Sequence, residues 1–448
     1  MTAVRESALA AIALTAVCGA LSCSRCDDRA GDPAKANNDA ATSDASASAA
    51  PSANGGALAG GDAAPASSPT DAATASAFDA AISDAGPSAC RLAYGPAEQT
   101  FRGPAAMVTT ATELKLVAND GGKPHVFSVP LGPPPPASLP VPSPKPSSFV
   151  GMRWPPCEIA GRWAYCQAAG GVVYRTTLGG SDTKQIAKSQ PSTRITAAAL
   201  GPDHAVLGTL DARHTTEGVM MEAFITLDDG ETTRLSEEGA GATVLRLLPR
   251  GESAVALYLD VRMAMVPVHA RPISLRGKDL ALADDAVVFV GGPPERGIEL
   301  TAASMGNAVF ALVPMARETS DFGMAALPIP ERPKDDVQPS WSLYPNGLDP
   351  APIAATVVGA VGSGANADAG GAASSAWVAR VRPSDRAVGA PRIIELGKLD
   401  AAGAFNSLGA ISTGKHITDM AIATDAYGSV WILYGDTNAT WLERRVCP

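Results

Sequence analysis

The feature that most constrains the fold of this chain is a unit of four short apolar segments that recurs from residue 89 to the end. In the clearest copy, Ile195–Leu200 is followed by a Gly-Pro-Asp turn, a second run at Ala205–Leu210 and a third at Met220–Leu227. An Asp-Asp-Gly turn then leads into a short fourth run at Thr232–Leu235. Runs of Val, Ile and Leu separated by Gly, Pro and Asp are typical of strands and turns, and Asp-Gly is a hairpin signal. We therefore predict that each unit is an antiparallel four-stranded sheet.

The unit recurs seven times, at spacings between about 45 and 64 residues. The first strands are predicted to begin near Ala105, Val150, Ile195, Thr243, Ile298, Ile353 and Ile417. The third strands are predicted at His125–Leu131, Val172–Leu178, Met220–Leu227, Val266–Leu275, Met324–Ile329, Trp377–Val381 and Thr440–Val446. Four to eight such units are the sequence signature of a β-propeller, in which each unit forms one blade.

The two ends of this region complete each other. The seventh unit stops after Thr440–Val446, because only Cys447 and Pro448 follow, whereas Glu98–Arg102 precedes the first unit without a partner. Pairing the two ends closes a ring and removes an open sheet edge. We predict an all-β, seven-bladed β-propeller of four-stranded antiparallel blades, with the N- and C-terminal strands in one blade. The alternatives are six or eight blades, or an open or two-domain β assembly.

Over residues 89–448 these repeats resemble the broad class of secreted bacterial seven-bladed propeller proteins. No unit carries a subfamily motif, since the Asp-box of sialidases and the Trp-docking repeats of quinoprotein dehydrogenases are absent from the sequence. The resemblance therefore implies a fold and no particular activity.

The N-terminal residues predict export. Residues 1–22 contain one cation, Arg5, and an apolar run from Ala8 to Leu21, which is typical of a secretory signal peptide. The Ala-Leu-Ser before Cys23 resembles a bacterial lipobox, although its leucine stands two residues before the cysteine instead of three. The resemblance implies a lipid on Cys23 and a membrane anchor in the bacterial envelope, at the outer membrane or the periplasmic face. Cleavage by an ordinary signal peptidase, giving a soluble secreted protein, is the alternative.

Residues 23–88 are predicted to be a disordered linker. From Ser24 to Ser88 there are 22 Ala and 10 Ser, and Phe78 is the only aromatic residue. Such a composition cannot bury enough apolar surface to offset the entropy of folding. The predicted domains are therefore the signal peptide at 1–22, the linker at 23–88 and the propeller at 89–448.

The cysteines are consistent with an oxidising compartment. Four of the seven fall in the predicted propeller, and we predict the pairs Cys90–Cys447 and Cys157–Cys166 because the first joins the two ends and the second is close in sequence. Free buried thiols are the alternative. Metal ligation by Cys157 and Cys166 is a poorer interpretation, because no histidine or second cysteine pair stands nearby.

The sequence offers no recognisable catalytic, cofactor-binding or metal-binding motif, and we predict none of these sites. The five histidines, His125, His204, His214, His269 and His416, lack metal-ligand spacing. Trp341 and Tyr344 form a possible recognition loop in an aromatic-poor chain, or else they cover the side of a blade. From residue 89 onwards the chain carries 31 basic and 35 acidic residues, which excludes a nucleic-acid binder that relies on a basic face.

We therefore predict a monomeric, extracytoplasmic binding or scaffolding module for a protein, peptide or glycan partner, with no cofactor and no nucleic acid. The alternative is a propeller hydrolase or lyase whose histidines and carboxylates gather at the channel mouth. A passive envelope spacer is a third possibility. Three or more histidines converging with loop carboxylates in one pocket would favour the enzyme.

Overall fold

A computed structural model describes the chain from Cys90 onwards. The described ranges are 90–101, 105–120, 123–134, 157–191, 193–215, 218–261, 266–291, 300–305, 307–318, 321–333, 337–343, 356–358, 375–383, 392–413, 417, 419–435 and 439–448. The predicted signal peptide, the linker and Cys23 lie outside the described residues.

The described residues form 28 strands and no α-helix, in seven antiparallel sheets that we number as blades 1 to 7. Blade 1 consists of β2 (Ala106–Thr109), β3 (Glu113–Asp120) and β4 (Lys123–Pro130). Blade 2 consists of β5 (Glu158–Ala160), β6 (Trp163–Gln167), β7 (Val172–Thr177) and β8 (Lys184–Lys188). Blade 3 consists of β9 (Thr196–Leu200), β10 (His204–Thr215), β11 (Gly218–Leu227) and β12 (Thr232–Arg234). Blade 4 consists of β13 (Ala242–Arg250), β14 (Ser253–Asp260), β15 (Val266–Arg276), β16 (Asp279–Leu282) and β17 (Ala286–Gly291). Blade 5 consists of β18 (Thr301–Met305), β19 (Ala308–Glu318), β20 (Asp321–Ile329) and β21 (Ser340–Leu343). Blade 6 consists of β22 (Thr356–Val358), β23 (Ser375–Pro383), β24 (Arg392–Asp400) and β25 (Phe405–Ser412). Blade 7 consists of β26 (Asp419–Thr424), β27 (Ser429–Gly435), β28 (Thr440–Val446) and β1 (Arg91–Glu98).

The blades form a closed ring. The first strand of each blade contacts the first strand of the next, in the cycle β2, β5, β9, β13, β18, β22, β26 and back to β2. This arrangement confirms the seven-bladed β-propeller that the repeat predicts.

The hydrophobic core lies between the blades. Seven clusters of buried apolar side chains occur, one at each contact between neighbouring blades. Between blades 3 and 4, for example, Leu200 and Ile225 pack with Leu245. Inner strands such as β14 and β27 are apolar on both faces because both face another blade, which explains why their runs are continuous and do not alternate.

Ring closure uses the two ends of the domain, as predicted. Strand β1 pairs with β28, with Arg91 opposite Val446 and Glu98 opposite Trp441. The closing strand lies earlier than the predicted Glu98–Arg102, because the chain leaves the ladder once the Gln99 N–H has donated to the Thr440 carbonyl oxygen at 2.7 Å.

A bulge in β1 requires glycine. Gly95 has a φ of +83°, and a Cβ there would lie 2.4 Å from the Leu442 carbonyl oxygen. Neither the backbone angle nor the space therefore suits another residue.

Both predicted disulfides are present. Cys90 is bonded to Cys447 across a sequence separation of 357, and Cys157 is bonded to Cys166. The first joins the two outer strands of blade 7, and the second lies in the apolar contact between blades 1 and 2. None of the described chain forms a helix that could span a bilayer.

Two strand predictions are corrected, and a third stays untested. Trp377–Val381 belongs to β23, the second strand of blade 6. A Gly/Ala-rich stretch at residues 362–374 separates the first and second strands in sequence and shifts the count by one. The start predicted at Val150 lies outside the described residues, and the first described strand of blade 2 is Glu158–Ala160. The fourth strand of blade 4 consists of two pieces, β16 and β17, which both pair with β15.

Candidate functional site

Blade 2 and blade 3 differ sharply in charge. From Cys157 to Arg194 the chain has five basic and two acidic residues, whereas from Thr196 to Arg234 it has two basic and seven acidic residues. In a chain of net charge −10, blade 2 is therefore a local region of positive charge beside a negative one. Such a boundary creates a field that can orient a charged ligand.

Three side chains of blade 2 form what we call the Trp163 platform: Arg162, Trp163 and Arg175. The turn between β5 and β6 holds Arg162, whose carbonyl oxygen accepts a hydrogen bond from the Leu178 N–H at 2.9 Å. The guanidinium carbons of Arg162 and Arg175 lie 5.0 Å and 4.1 Å from the indole centroid. Cation–π contacts of this kind restrict where the guanidinium groups can lie.

Cross-strand register places Arg175 on this face. Arg175 pairs with Tyr165 in the ladder between β6 and β7, and Trp163 stands two residues before Tyr165. Trp163, Tyr165 and Arg175 therefore share one face of blade 2, and Trp163 and Tyr165 pack there against blade 3. Within the described part of the chain, no carboxylate lies within ion-pairing distance of Arg162 or Arg175.

Blade 3 contributes the opposite charge. We call Asp228 and Asp229, in the turn after β11, the acidic corner. One oxygen of Asp228 lies 2.7 Å from His204 Nδ1, and the other accepts the Ala205 N–H at 3.0 Å. Asp229 forms an ion pair with Lys184 of blade 2, so the corner and blade 2 are in direct contact.

Charges of the platform and of the corner act on the same titratable groups. Burial raises the pKa of Tyr165, and the nearby charges of Arg175 and Asp228 act on it in opposite directions. The hydrogen bond and charge of Lys184 lower the pKa of Asp229, and Arg175 lowers it further. Asp229 is therefore ionised at neutral pH. This boundary of blades 2 and 3 can hold an oxyanion on the guanidinium groups and accept hydrogen bonds on the carboxylates.

A second polar cluster lies in blade 4. Tyr258 donates its hydroxyl hydrogen to Asp285 Oδ2 at 2.6 Å, and His269 Nδ1 lies 2.7 Å from the same oxygen. The Tyr258 and His269 rings stack with centroids 4.5 Å apart. Burial raises the pKa of Tyr258, and the hydrogen bond and charge of Asp285 raise it further. Asp285 lies in the break between β16 and β17, where its Oδ2 is in contact with both Tyr258 and His269.

The histidines do not converge. His125 and His214 are exposed on blades 1 and 3, whereas His204 and His269 each pair with a different aspartate, and His416 lies outside the described residues. Among the described residues, no group of three or more His, Cys, Asp or Glu side chains could hold a metal ion.

The predicted recognition loop is described only in part. Trp341 is half-buried in β21, where it pairs with Ala325, and Tyr344 lies outside the described residues. A joint role of these two rings stays a prediction.

No protein-family model matches the chain, and no curated protein matches it. Solved structures similar to it include YCF48 from Cyanidioschyzon merolae, at 11% identity and a TM-score of 0.41, over 79% of this chain and 98% of that one. The subtype N10 neuraminidase-like protein of A/little yellow-shouldered bat/Guatemala/060/2010 is 9% identical, with a TM-score of 0.37, over 80% of this chain and 98% of that one. The SapL1 lectin, solved with alpha methyl fucoside, is 10% identical, with a TM-score of 0.37, over 71% and 99%. Similarity this low carries no conclusion about function, which must be argued from the chain's own residues.

Sequence reasoning missed the platform and the acidic corner as a site. The available signal was the charge of each repeat unit taken separately, because the total over residues 89–448 averages the basic blade 2 with the acidic blade 3. Arg162 and Trp163 are adjacent in sequence, but Arg175 joins them only through strand pairing.

Proposed function

We propose that this protein is an extracytoplasmic binding module, anchored by a lipid on Cys23, that uses the boundary of blades 2 and 3 to hold a protein, peptide or glycan partner. The observation that carries the proposal is the Trp163 platform. Two guanidinium groups held against an indole, with no carboxylate within ion-pairing distance among the described residues, are suited to an external anionic group.

The scaffold supports this role. Strand pairing and a disulfide both join the ends of the ring, so the platform stands on a rigid frame before any ligand arrives. Such preorganisation reduces the entropic cost of binding. The two disulfides also support an oxidising location outside the cytoplasm.

The enzyme alternative has less support. It requires histidines and carboxylates to gather at the channel mouth, whereas His269 and Asp285 lie on the outer strands of blade 4 and the other described histidines lie elsewhere.

The function is tested by measuring binding and turnover together. The full chain is titrated against acidic and neutral oligosaccharides and acidic and basic peptides, and each ligand is afterwards recovered for mass spectrometry. We expect saturable binding of at least one class with the ligand recovered intact. Cleaved or eliminated products formed catalytically would replace this proposal with the enzyme, and no binding by any class would refute it.

The anchor is tested separately in a bacterial host. We expect the mature N-terminus to be a lipid-modified Cys23, and Cys23→Ser to move the protein from the membrane to the soluble fraction. An exported protein whose Cys23 carries no lipid would contradict the anchor and leave the binding function standing.

A further inference from the structure

We infer that the boundary of blades 2 and 3 binds an oxyanion-bearing glycan, a carboxylated or sulfated sugar chain, and this inference rests on the proposed binding function. The Trp163 platform would hold the oxyanions, and the acidic corner would accept hydrogen bonds from sugar hydroxyl groups.

The platform presents two fixed positive charges at short range. Because both guanidinium carbons lie close to the same indole centroid, they are no more than about 9 Å apart. Two neighbouring anionic groups of one polymer can therefore reach both. Guanidinium groups bind the paired oxygens of a carboxylate or a sulfate through two parallel hydrogen bonds, which favours these groups over simple screening ions.

The acidic corner decides between a glycan and other polyanions. The Asp228 and Asp229 side chains are 29% and 43% exposed, and Asp229 contacts Lys184 of blade 2, so a ligand that spans the boundary can reach them. Carboxylates repel a ligand that carries only negative charge, but they accept hydrogen bonds from hydroxyl groups. A sugar chain that carries both oxyanions and hydroxyls matches both halves of the surface, whereas an acidic peptide matches only one.

The central experiment compares a hexamer of galacturonic acid with a neutral maltohexaose of the same length, using calorimetric titration of the full chain. We expect the acidic hexamer to bind and the neutral one to bind at least about tenfold more weakly. A sulfated oligosaccharide serves as a second arm that separates carboxylate from sulfate as the preferred oxyanion.

Variants of the platform locate the binding. Arg162→Ala combined with Arg175→Ala should weaken binding of the acidic hexamer by at least about tenfold. The matched control is Arg276→Ala with Lys278→Ala, which removes two exposed cations from the hairpin between β15 and β16. The control removes the same total charge and should leave the affinity within about twofold. Urea unfolding of each variant verifies that the fold is retained.

Asp229→Ala separates sugar recognition from simple charge attraction. Removing this carboxylate makes the surface more positive, so general attraction predicts tighter binding of any polyanion. Loss of a hydroxyl acceptor predicts weaker binding of the acidic hexamer instead, and this is the result we expect.

The outcomes distinguish the two proposals. If the chain binds a ligand but the platform variant and its control behave alike, this inference fails and the binding function stands. If polyglutamate or anionic phospholipid vesicles bind as tightly as the acidic hexamer, or Asp229→Ala tightens binding, the glycan assignment is overturned. If no ligand of any class binds, both proposals fail.

Discussion

Asp425 shows how a single buried carboxylate joins a turn, a blade and a neighbouring blade. Its Oδ1 accepts the N–H groups of Tyr427 and Ser429, and its Oδ2 accepts Trp431 Nε1–H at 3.0 Å. Arg444 Nη2 lies 2.6 Å from Oδ2, and Arg444 Nη1 donates to a carbonyl oxygen of the segment after β4. The ion pair therefore fixes Arg444 within blade 7, and the Arg444 hydrogen bond to the segment after β4 links blade 7 to the end of blade 1.

Asp425→Asn should destabilise the protein by about 3–5 kcal/mol, because it leaves the guanidinium of Arg444 buried without an opposing charge. Asp400→Asn is the matched control. Asp400 caps a turn through the N–H groups of Ala402 and Ala404 but is exposed enough to reach water, so about 1 kcal/mol is expected. Urea unfolding measures both, and equal losses would contradict the charge argument.

Glu395 is a second buried carboxylate, and its ionisation makes the stability of the protein depend on pH. It is buried between Arg380 and Arg382, whose Nε atoms lie 2.8 Å and 3.0 Å from the same carboxylate oxygen. Burial by itself would raise the pKa of Glu395, but the two arginines and a hydrogen bond from Ser407 outweigh it, and the pKa lies below its ordinary value.

Because the folded pKa of Glu395 is lowered, its contribution to stability is complete above the ordinary glutamate pKa of about 4.3. That contribution is lost as the pH falls from there through the lowered value. Glu395→Gln should therefore reduce stability at neutral pH and flatten the acid limb of a stability–pH profile measured by urea unfolding. Glu113→Gln, in the partly exposed pair with Lys115, should leave the profile unchanged. An acid limb of unaltered slope in the Glu395 variant would contradict the assignment.

At the level of elements, the fourth strand of blade 4 shows how a break is tolerated. The residues between β16 and β17 leave the ladder, and Asp285 turns toward Tyr258 and His269. The Arg271 Nε–H donates to the Ala283 carbonyl oxygen at 2.8 Å, which satisfies a backbone group that the break removes from the ladder. We infer that the contacts of Asp285 with Tyr258 and His269 hold β16 and β17 in place.

The contact between blades 3 and 4 depends on a glycine in β10. A Cβ at Gly208 would lie 2.7 Å from Thr196 Cγ2 and 2.8 Å from Leu245 Cδ2. Gly208→Ala should therefore cost about 1–3 kcal/mol through overpacking. Gly170→Ala, where a Cβ would meet nothing within 4 Å, is the control and should have little effect in thermal unfolding. Full tolerance of alanine at Gly208 would show that the blades can move apart freely.

At the scale of the whole molecule, two interactions close the propeller ring, and both lie in blade 7. Strand β1 pairs with β28, and the disulfide between Cys90 and Cys447 fixes the end of that pairing. The C-terminal blade therefore contains the first described strand of the chain, so no blade can be removed from either end without opening the ring.

Cys90→Ser with Cys447→Ser should destabilise the protein by about 6 kcal/mol, since the bond closes a very long loop in the unfolded chain. Cys157→Ser with Cys166→Ser removes a bond that closes only a short loop, and this double variant should lose about 3 kcal/mol of stability. Urea unfolding of both double variants tests the ranking. A smaller loss for the long loop would mean that β-strand pairing alone keeps the ends together in the unfolded chain.

Much of the fold follows from the sequence. The strand runs and turns around Ile195 and Met220 are local signals, and their period predicts a ring whose ends must meet. The Cys90–Cys447 disulfide follows from cysteine positions at the ends of that ring, and the Cys157–Cys166 disulfide follows from closeness in sequence. The strand at Trp377–Val381 was predicted as the third of blade 6 but is the second, because a long insertion separates two paired strands. Sequence spacing carries no information on which strands pair across such an insertion.

The candidate site could not be derived in the same way. Arg175 meets Trp163 through ladder register, and Asp229 meets Lys184 only because blade 3 packs on blade 2. Tyr258, His269 and Asp285 likewise meet across three strands. The amino-acid sequence by itself determined the strands, their repetition, the closure of the ring and its cysteine pairs, because these depend on local patterns and on the two chain ends. Only the tertiary structure decided which charges face each other between blades, since strand register and blade packing bring together side chains whose separation in sequence gives no sign of contact.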